Sequence, residues 1–192
     1  CMSFKKMKIK AYLLIFSCIL ISSSCKKKYT ELDNYEIISA VLNSELGKET
    51  DLENGSYWID ESKEYNSLLF LNHTYLNEFD LQMIQSRLNN EYYPEFHEFD
   101  IDDFKKGREW NIKNIKNYNR FKLVVKTDQP IKSPFIGLFQ ISSISYNQTS
   151  DKAIVFCSFL CAGSGDCGGS MIYYLTRKLK WEVEKVETLE VY

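Results

Sequence analysis

The pattern of apolar and polar positions differs between the two halves of the chain. Apolar residues recur at helical spacing over residues 32–46 and 76–88, which predicts two amphipathic helices. A weaker version of this pattern over residues 101–115 indicates a helix or a turn-rich segment. From residue 121 onward, short apolar or alternating runs are separated by turn residues, which is typical of β-strands.

The spacing of the predicted strands favours an antiparallel meander in the second half of the chain. These strands cover residues 121–126, 138–146, 153–161, 170–177 and 181–192, and two short strands are predicted earlier, at 56–60 and 67–71. Helices that precede a run of strands define the α+β class. We therefore expect N-terminal helices packed on a C-terminal antiparallel β-meander.

The N-terminal segment has the layout of an export signal. Lys8 and Lys10 precede an apolar run over residues 11–21, and three serines then lead to Cys25. This order, basic then apolar then small, is that of a secretory signal, and the run is far shorter than the roughly 20 residues of a membrane span. Because Cys25 directly follows the small residues, the segment is similar to a bacterial lipoprotein signal, in which that cysteine becomes the lipidated first residue.

The predicted organisation follows from this signal. Residues 1–24 form the lipoprotein signal peptide, residues 25–31 the lipidated cysteine and a polar tether, and residues 32–192 a single α+β domain. Ser22 stands where lipoprotein signals usually carry Leu, so a plain secretory leader cut near Ser24 is the alternative. The lipid-anchor interpretation implies a bacterial cell envelope, with the membrane as a partner through the anchor. Surface-exported lipoproteins of Bacteroidota carry an acidic tag after the cysteine, so the basic residues here favour a periplasm-facing position.

The charge of the chain argues against a nucleic-acid partner. Residues 1–24 hold four lysines and no acids, which leaves 20 basic and 26 acidic residues in the predicted mature chain, about −6 net. No basic patch stands out in the sequence, and nucleic-acid binding depends on such patches. The 13 Tyr, 12 Phe and 3 Trp favour strands and a well-filled core.

Three cysteines lie within eleven residues, in the sequence CSFLCAGSGDCGG. Disulfides are expected in an exported protein. Cys161 and Cys167 flank a Gly-rich loop between two predicted strands, so we expect them to pair, with a Cys157–Cys167 bridge as the alternative. Cys157 then becomes a small buried hydrophobic residue. The spacings differ from the CxxC typical of zinc and redox sites, and the sequence places neither histidine beside a cysteine to serve as a catalytic base.

The acidic segment EFHEFDIDDF, residues 95–104, is the other candidate for chemistry. Its possible metal ligands are His97, Glu98, Asp100 and Asp102. The favoured interpretation is structural: the aromatic residues pack inward, the acids face water, and Asp100 or Asp102 caps a helix. We expect neither a metal nor a cofactor, and no phosphate-loop, dinucleotide, zinc-protease or serine-hydrolase motif is found in the sequence.

The C-terminal sequence ISSISYNQTSDKAIVFCSFLCAGSGDCGGSMIYYLTRKLKWEVEK resembles part of a family of secreted or lipidated proteins of Bacteroidota. In that family a strand like DKAIVF leads into a Cys/Gly-rich β-hairpin, and a strand containing Trp follows. Ala162 replaces the first glycine of the family's loop, and the cysteines are spaced more widely. The resemblance implies a fold and a core position for Trp181, and it implies no activity.

These features favour a binding or interaction module of the envelope over an enzyme. The alternative is an envelope hydrolase, with or without a metal ion, that uses His97 and the neighbouring carboxylates. An inhibitor or immunity-type protein that acts through its surface is the third possibility. The sequence does not identify the protein or small ligand that would be bound.

Overall fold

The computed structural model describes residues 29–46, 67–72, 74–116, 122–127, 135–161 and 168–191. The helices in these ranges are α1 (Glu31–Leu46), α2 (Glu78–Leu88) and α3 (Asp102–Lys105), with 3₁₀ turns at Pro94–Glu98 and Ile112–Asn114. The strands are β1 (Ser67–Leu71), β2 (Lys122–Val125), β3 (Phe135–Tyr146), β4 (Lys152–Cys161), β5 (Gly168–Arg177) and β6 (Trp181–Val191). The predicted leader, Cys25 and the predicted strand 56–60 lie outside the described residues.

Within the described residues the strands form one six-stranded sheet in the order β2-β1-β3-β4-β5-β6. Strands β3 to β6 follow one another as antiparallel neighbours, which confirms four of the five strands of the predicted meander. The prediction for residues 121–126 as its first strand is wrong, because β2 (Lys122–Val125) pairs in parallel with β1 and does not neighbour β3. Strand β1 lies between β2 and β3 and is parallel to both. The α+β class and a C-terminal antiparallel meander are therefore confirmed, and β1 and β2 extend the sheet in parallel at the β3 side.

Helix α1 begins at a reciprocal cap. The backbone N–H of Thr30 donates to the Asp33 carboxylate at 2.6 Å, and the N–H of Asp33 donates to the Thr30 hydroxyl at 3.3 Å. This is a capping box with Asp in the position usually held by Glu, and it satisfies donors that the first helical turn leaves unpaired. The residues of α1 with no exposed surface are Ile37, Ile38, Val41 and Leu42.

The sheet has a hydrophobic core on each face. The α1 side contains buried side chains from α1 and the sheet, among them Ile38, Val155, Cys157 and Tyr173. The opposite side packs α2 and the segment after it against Ile154, Phe156, Ile172 and Tyr174. Residues of β4 and β5 therefore alternate between two buried faces, and this is why both strands are nearly continuously apolar. Trp181 is 3% exposed in the α1-side core, which confirms its predicted core position.

The segment over residues 101–115 is turn-rich. Helix α3 lasts four residues, and the chain then continues irregularly past Gly107 to the 3₁₀ turn at Ile112–Asn114. Phe104, Trp110 and Ile115 are buried, so the apolar spacing in this segment reflects packing and not one continuous helix. No helix among the described residues is long and apolar enough to cross a membrane.

Candidate functional site

The predicted chemistry around Cys25 and the cysteine loop lies mostly outside the described residues. Cys25, Cys167 and the side chain of Cys161 fall there, so the lipidation site and the disulfide stay predictions. The last described register pair of the β4–β5 hairpin is Leu160–Gly168. Cys161 directly follows Leu160 in the sequence, and Cys167 directly precedes Gly168. Cys157 is fully buried in the α1-side core, which confirms its predicted burial.

The acidic segment is arranged as the structural interpretation predicts. Phe96 and Phe99 are buried and the acids face outward. The Asp100 carboxylate accepts a hydrogen bond from the backbone N–H of Asp102 at 2.9 Å, in the turn that leads into α3, and the N-cap residue of α3 is Ile101. The carboxylate of Asp102 pairs with Lys105 at 2.6 Å.

His97 and Glu98 are exposed and engage other partners. His97 Nε2 lies 3.1 Å from the carbonyl oxygen of Asn90, and Glu98 Oε1 lies 2.5 Å from Lys152 Nζ. The hydrogen bond from the ammonium group of Lys152 to Glu98 raises the pKa of Lys152, and burial opposes this less strongly. No hydrogen bond in the described part of the chain joins His97 to a carboxylate. An open groove of about 450 Å³ beside His97 is lined by Gln85, Asn89, Phe99 and Asp100.

The four predicted metal ligands do not form a joint site. Among the residues that the structure describes, no three His, Cys, Asp or Glu side chains converge as a metal-binding group. The carboxylates of Glu98 and Asp102 pair with lysines instead, and such exposed pairs contribute little to stability.

A polar and aromatic network joins the start of α1 to the end of the sheet nearest the predicted tether. We call it the tether network, and its residues are Tyr29, Thr30, Asp33, Asn34, Arg108, Tyr146, Arg177 and Trp181. Asp33 is 3% exposed, and its carboxylate contacts Arg177 Nη2 at 2.9 Å and accepts from Trp181 Nε1 at 3.1 Å. Burial raises the pKa of Asp33, but hydrogen bonds from Thr30 and Trp181, together with the charge of Arg177, outweigh it and hold that pKa below its usual value. This carboxylate is therefore stabilised in its charged form.

Tyr29, the first described residue, belongs to the same network. Its ring stacks on Tyr146 with the ring centroids 4.2 Å apart. The Asn34 amide contacts the Tyr146 hydroxyl at 2.8 Å, and its oxygen faces the Arg108 guanidinium at 3.0 Å. Burial, followed by the charge of Asp33, raises the pKa of Tyr146, so its hydroxyl stays protonated. These contacts fix the point at which the predicted tether enters the domain.

A second polar feature, which we call the polar row, crosses the other face of the sheet near its opposite end. Its members are register partners on four neighbouring strands: Gln140 on β3, Ser158 on β4, Ser170 on β5 and Glu190 on β6. Register partners project to the same face, here the α2 side. Ser170 has no exposed surface, and within the described residues its Oγ has no hydrogen-bond partner; the buried Glu190 Oε2 also lacks one there. Unpaired buried polar atoms are rare in folded proteins, which makes this row the strongest candidate site.

The segment that leads into α2 contacts the polar row at its β3 end. At the β3 end, Gln140 Nε2 donates to the carbonyl oxygen of Tyr75 at 3.2 Å. At the β6 end, burial and, less strongly, the charge of Glu190 raise the pKa of Asp80, against a lowering hydrogen bond from the Asn77 backbone. The backbone at Tyr75 therefore lies at the β3 end of the row.

Exposed apolar side chains surround the polar row. Tyr75 is 75% exposed, Phe79 is 55% exposed and Leu160, at the end of β4, is 47% exposed. We call these three residues, together with the polar row, the distal patch. The sequence interpretation missed its key members Asp80, Ser170 and Glu190. Ser158 and Ser170 interrupt otherwise apolar strands, and this was the one signal of the row in the sequence.

The pairing register of β5 and β6 explains why the polar row could not be predicted from the sequence. The β5–β6 register shifts after Ser170, so that Leu189 is an extra residue on β6. This bulge places Glu190 opposite Ser170 and directs Leu189 into the α2-side core. Gly169 permits the close approach, because a Cβ there would lie 2.7 Å from the Glu190 carbonyl oxygen.

Comparisons of the chain with protein families, with curated proteins and with solved structures find no match. The resemblance of the C-terminal segment to secreted proteins of Bacteroidota therefore stays a prediction. The geometry of the tether network and of the polar row is therefore the basis for the function.

Proposed function

We propose that this protein is a membrane-anchored lipoprotein of a bacterial envelope whose single domain is a binding module, with the distal patch as its binding surface. The signal-like segment that ends at Cys25 supports the anchor. The exposed aromatic residues and the incompletely paired polar row support binding.

The observation that carries this proposal is the separation between the tether network and the distal patch. Tyr29 enters the domain beside Tyr146, at one end of the strands. Ser170 of the patch and Arg177 of the network are seven positions apart on β5, which is roughly 23 Å at about 3.3 Å per residue. The two features also lie on opposite faces of the sheet. An anchor at Cys25, four residues before Tyr29, would hold the network toward the membrane and leave the patch facing away from it.

The anchor is tested by the intact mass of the protein from its native membrane. We expect a mass that includes acyl chains on Cys25, and a Cys25→Ser variant should lose the added mass and leave the membrane fraction. An unmodified wild-type chain cut near Ser24 would contradict the anchor and indicate a secreted protein. That result would leave the binding part of the proposal open to its own test.

Binding is tested by comparing variants of the distal patch. Immobilised wild-type protein, a Tyr75→Ala/Phe79→Ala variant and a Tyr92→Ala control are each exposed to a detergent extract of the producing cell's envelope. Tyr92 is 88% exposed and lies outside the patch, so it controls for nonspecific loss of an aromatic surface. We expect at least one component to be retained by wild type and control and lost by the double variant. Equal retention by all three proteins would contradict a binding role for the patch.

The described contacts do not favour the hydrolase alternative. A general base needs hydrogen-bond reach to its proton and a group that orients it, and the described partner of His97 is a backbone carbonyl. A hydrolytic activity that is lost in a His97→Ala variant would restore that alternative.

A further inference from the structure

Exposed apolar side chains and cations lie together at the end of the domain where the predicted tether enters. Leu179 is fully exposed in the β5–β6 turn, Leu32 in the first turn of α1 is 63% exposed, and Tyr29 is 45% exposed. Single exposed apolar residues are normal on a protein surface, but these three share one end of the molecule. We call them, together with Lys178 and Lys180, the proximal face.

The tether network holds the start of α1 beside the β5–β6 turn. Asp33 directly follows Leu32, and its carboxylate contacts Arg177 at 2.9 Å and Trp181 at 3.1 Å. Arg177 ends β5 and Trp181 begins β6, so these two residues flank the turn over residues 178–180. The apolar residues of the proximal face are therefore positioned by buried contacts of the fold.

The composition of the β5–β6 turn is that of a membrane-contacting loop. Exposed turns usually carry Gly, Asn, Asp, Pro or Ser, whereas this turn has Leu179 between two lysines. Lys180 is exposed and forms no ion pair among the described residues, and Lys178 pairs with the exposed Glu182 at 3.2 Å. An apolar side chain flanked by cations matches the boundary between acyl chains and anionic headgroups.

We propose that the proximal face docks onto an anionic lipid bilayer, with Leu179 and Leu32 inserted at the headgroup boundary and Lys178 and Lys180 on the headgroups. This inference deepens the proposed function and rests on its anchor, because the lipidated cysteine brings the face to the membrane. Tyr29 fits the same boundary, since its ring is apolar and its hydroxyl is polar.

The length and charge of the predicted tether favour the bilayer as the occupant. Cys25 precedes Tyr29 by four residues, which span at most about 14 Å. This is shorter than the roughly 23 Å that separate the tether network from the distal patch, so the proximal end stays next to the bilayer. Lysines at positions 26–28 bring the lysines of the tether and face to five, against the neighbouring acids Glu31 and Glu182.

The test uses the full chain isolated from the producing cell and incorporated into vesicles of phosphatidylcholine and phosphatidylglycerol. Leu179→Trp places a fluorescent residue in the β5–β6 turn, and Tyr75→Trp places one in the distal patch as the matched control. Lipids with brominated acyl chains quench tryptophan at short range. We expect them to reduce the fluorescence of Leu179→Trp by a larger fraction than that of wild type, and to affect Tyr75→Trp as they affect wild type.

A second substitution on the Leu179→Trp background separates docking from mere closeness to the membrane. Leu32→Asp should lower the ratio of docked to undocked protein about tenfold, the factor that burial of one leucine side chain contributes. An acid in the first turn of a helix is favoured, so this change should not unfold α1. Leu160→Asp, at an exposed position of the distal patch, is the control and should leave the quenching unchanged. Vesicles without phosphatidylglycerol should give weaker quenching.

Two results would overturn the proposal. Equal quenching of Leu179→Trp and wild type would mean that the domain stands away from the bilayer on its tether. Stronger quenching of Tyr75→Trp than of Leu179→Trp would place the distal patch at the membrane instead.

The intact mass of the same protein judges the anchor separately. Acyl chains on Cys25 without quenching at residue 179 would retain the anchor and reject the proximal face. Quenching at residue 179 of an unacylated chain mixed with vesicles would reject the anchor and retain the face.

Discussion

Replacing Asp33 by Ala tests the tether network most directly. The Asp33 carboxylate accepts from the Thr30 backbone N–H at 2.6 Å and from Trp181 Nε1 at 3.1 Å, and it contacts Arg177 at 2.9 Å. The substitution removes all three contacts and one half of the reciprocal cap of α1, whereas the backbone N–H of residue 33 can still donate to the Thr30 hydroxyl. It also leaves the Trp181 N–H buried, because that side chain is 3% exposed.

The magnitude follows from burial. Breaking a buried ion pair by removal of one partner costs about 3–5 kcal/mol. The Arg177 side chain is 27% exposed, so water recovers part of its solvation and the lower end applies. We expect Asp33→Ala to lower the free energy of unfolding by about 3 kcal/mol. For a domain of this size, that corresponds to a decrease of roughly 6–12 °C in melting temperature.

Chemical denaturation of the purified protein measures this loss, with Asp102→Ala as the control. Asp102 also pairs with a lysine, at 2.6 Å, but its side chain is 64% exposed, so its removal should not change stability measurably. If the two substitutions reduce the free energy of unfolding equally, the buried network does not stabilise the fold in the way argued.

The pH dependence gives an independent check on the same residue. The pKa of Asp33 is held below its usual value in the folded state, so the unfolded state binds more protons in acid. The stabilisation by its charge is complete above the unfolded pKa, about 3.9, and is lost as the pH falls through the folded pKa. The stability difference between wild type and Asp33→Asn should therefore be constant above about pH 5 and shrink below about pH 4. A difference that grows in acid would contradict the assignment.

Two further predictions concern the β5–β6 bulge and the cysteine loop. Gly169→Ala should destabilise the protein by about 1–3 kcal/mol, because the new Cβ would meet the Glu190 carbonyl oxygen at 2.7 Å. Gly107→Ala should cost less in the same denaturation assay, because the atom it meets belongs to the exposed ring of Tyr75, and equal losses would contradict the argument. If Cys161 and Cys167 form the predicted disulfide, the intact mass should rise by two hydrogens on reduction, and peptide mapping should link these two residues. An unchanged mass would remove the prediction.

The spacing of apolar residues predicted those helices and strands in which buried residues recur at a regular interval. The apolar spacing from residue 32 placed α1 within one residue of its observed start at Glu31. Hairpins β4–β5 and β5–β6 were predicted because each strand is followed closely by turn residues and then by its own partner. For such local elements, the hydrophobic period and the turn chemistry agree.

Non-local features were not predicted. Strand β1 pairs in parallel with β2 and β3, which lie more than 50 residues later in the chain, and nothing in its five residues specifies those partners. The distal patch depends on the Leu189 bulge and on the path of residues 75–80, and both are settled by tertiary packing. The predicted candidates at His97 and its neighbours were chosen by residue type, which does not distinguish acids that pair with lysines from acids that remain uncompensated.

Strand β6 connects the two features on which the proposals depend. It is an edge strand in the described sheet, and its charged residues, including Glu184 and Lys185, discourage pairing with another chain. An edge strand lacks neighbours on one side, so its register needs other support. Trp181 supplies that support at one end through Asp33, and the bulge at Leu189 supplies it at the other by placing a side chain in the α2-side core. Because both ends are held, Glu190 keeps its register position opposite Ser170, and the polar row stays aligned across the end of the sheet.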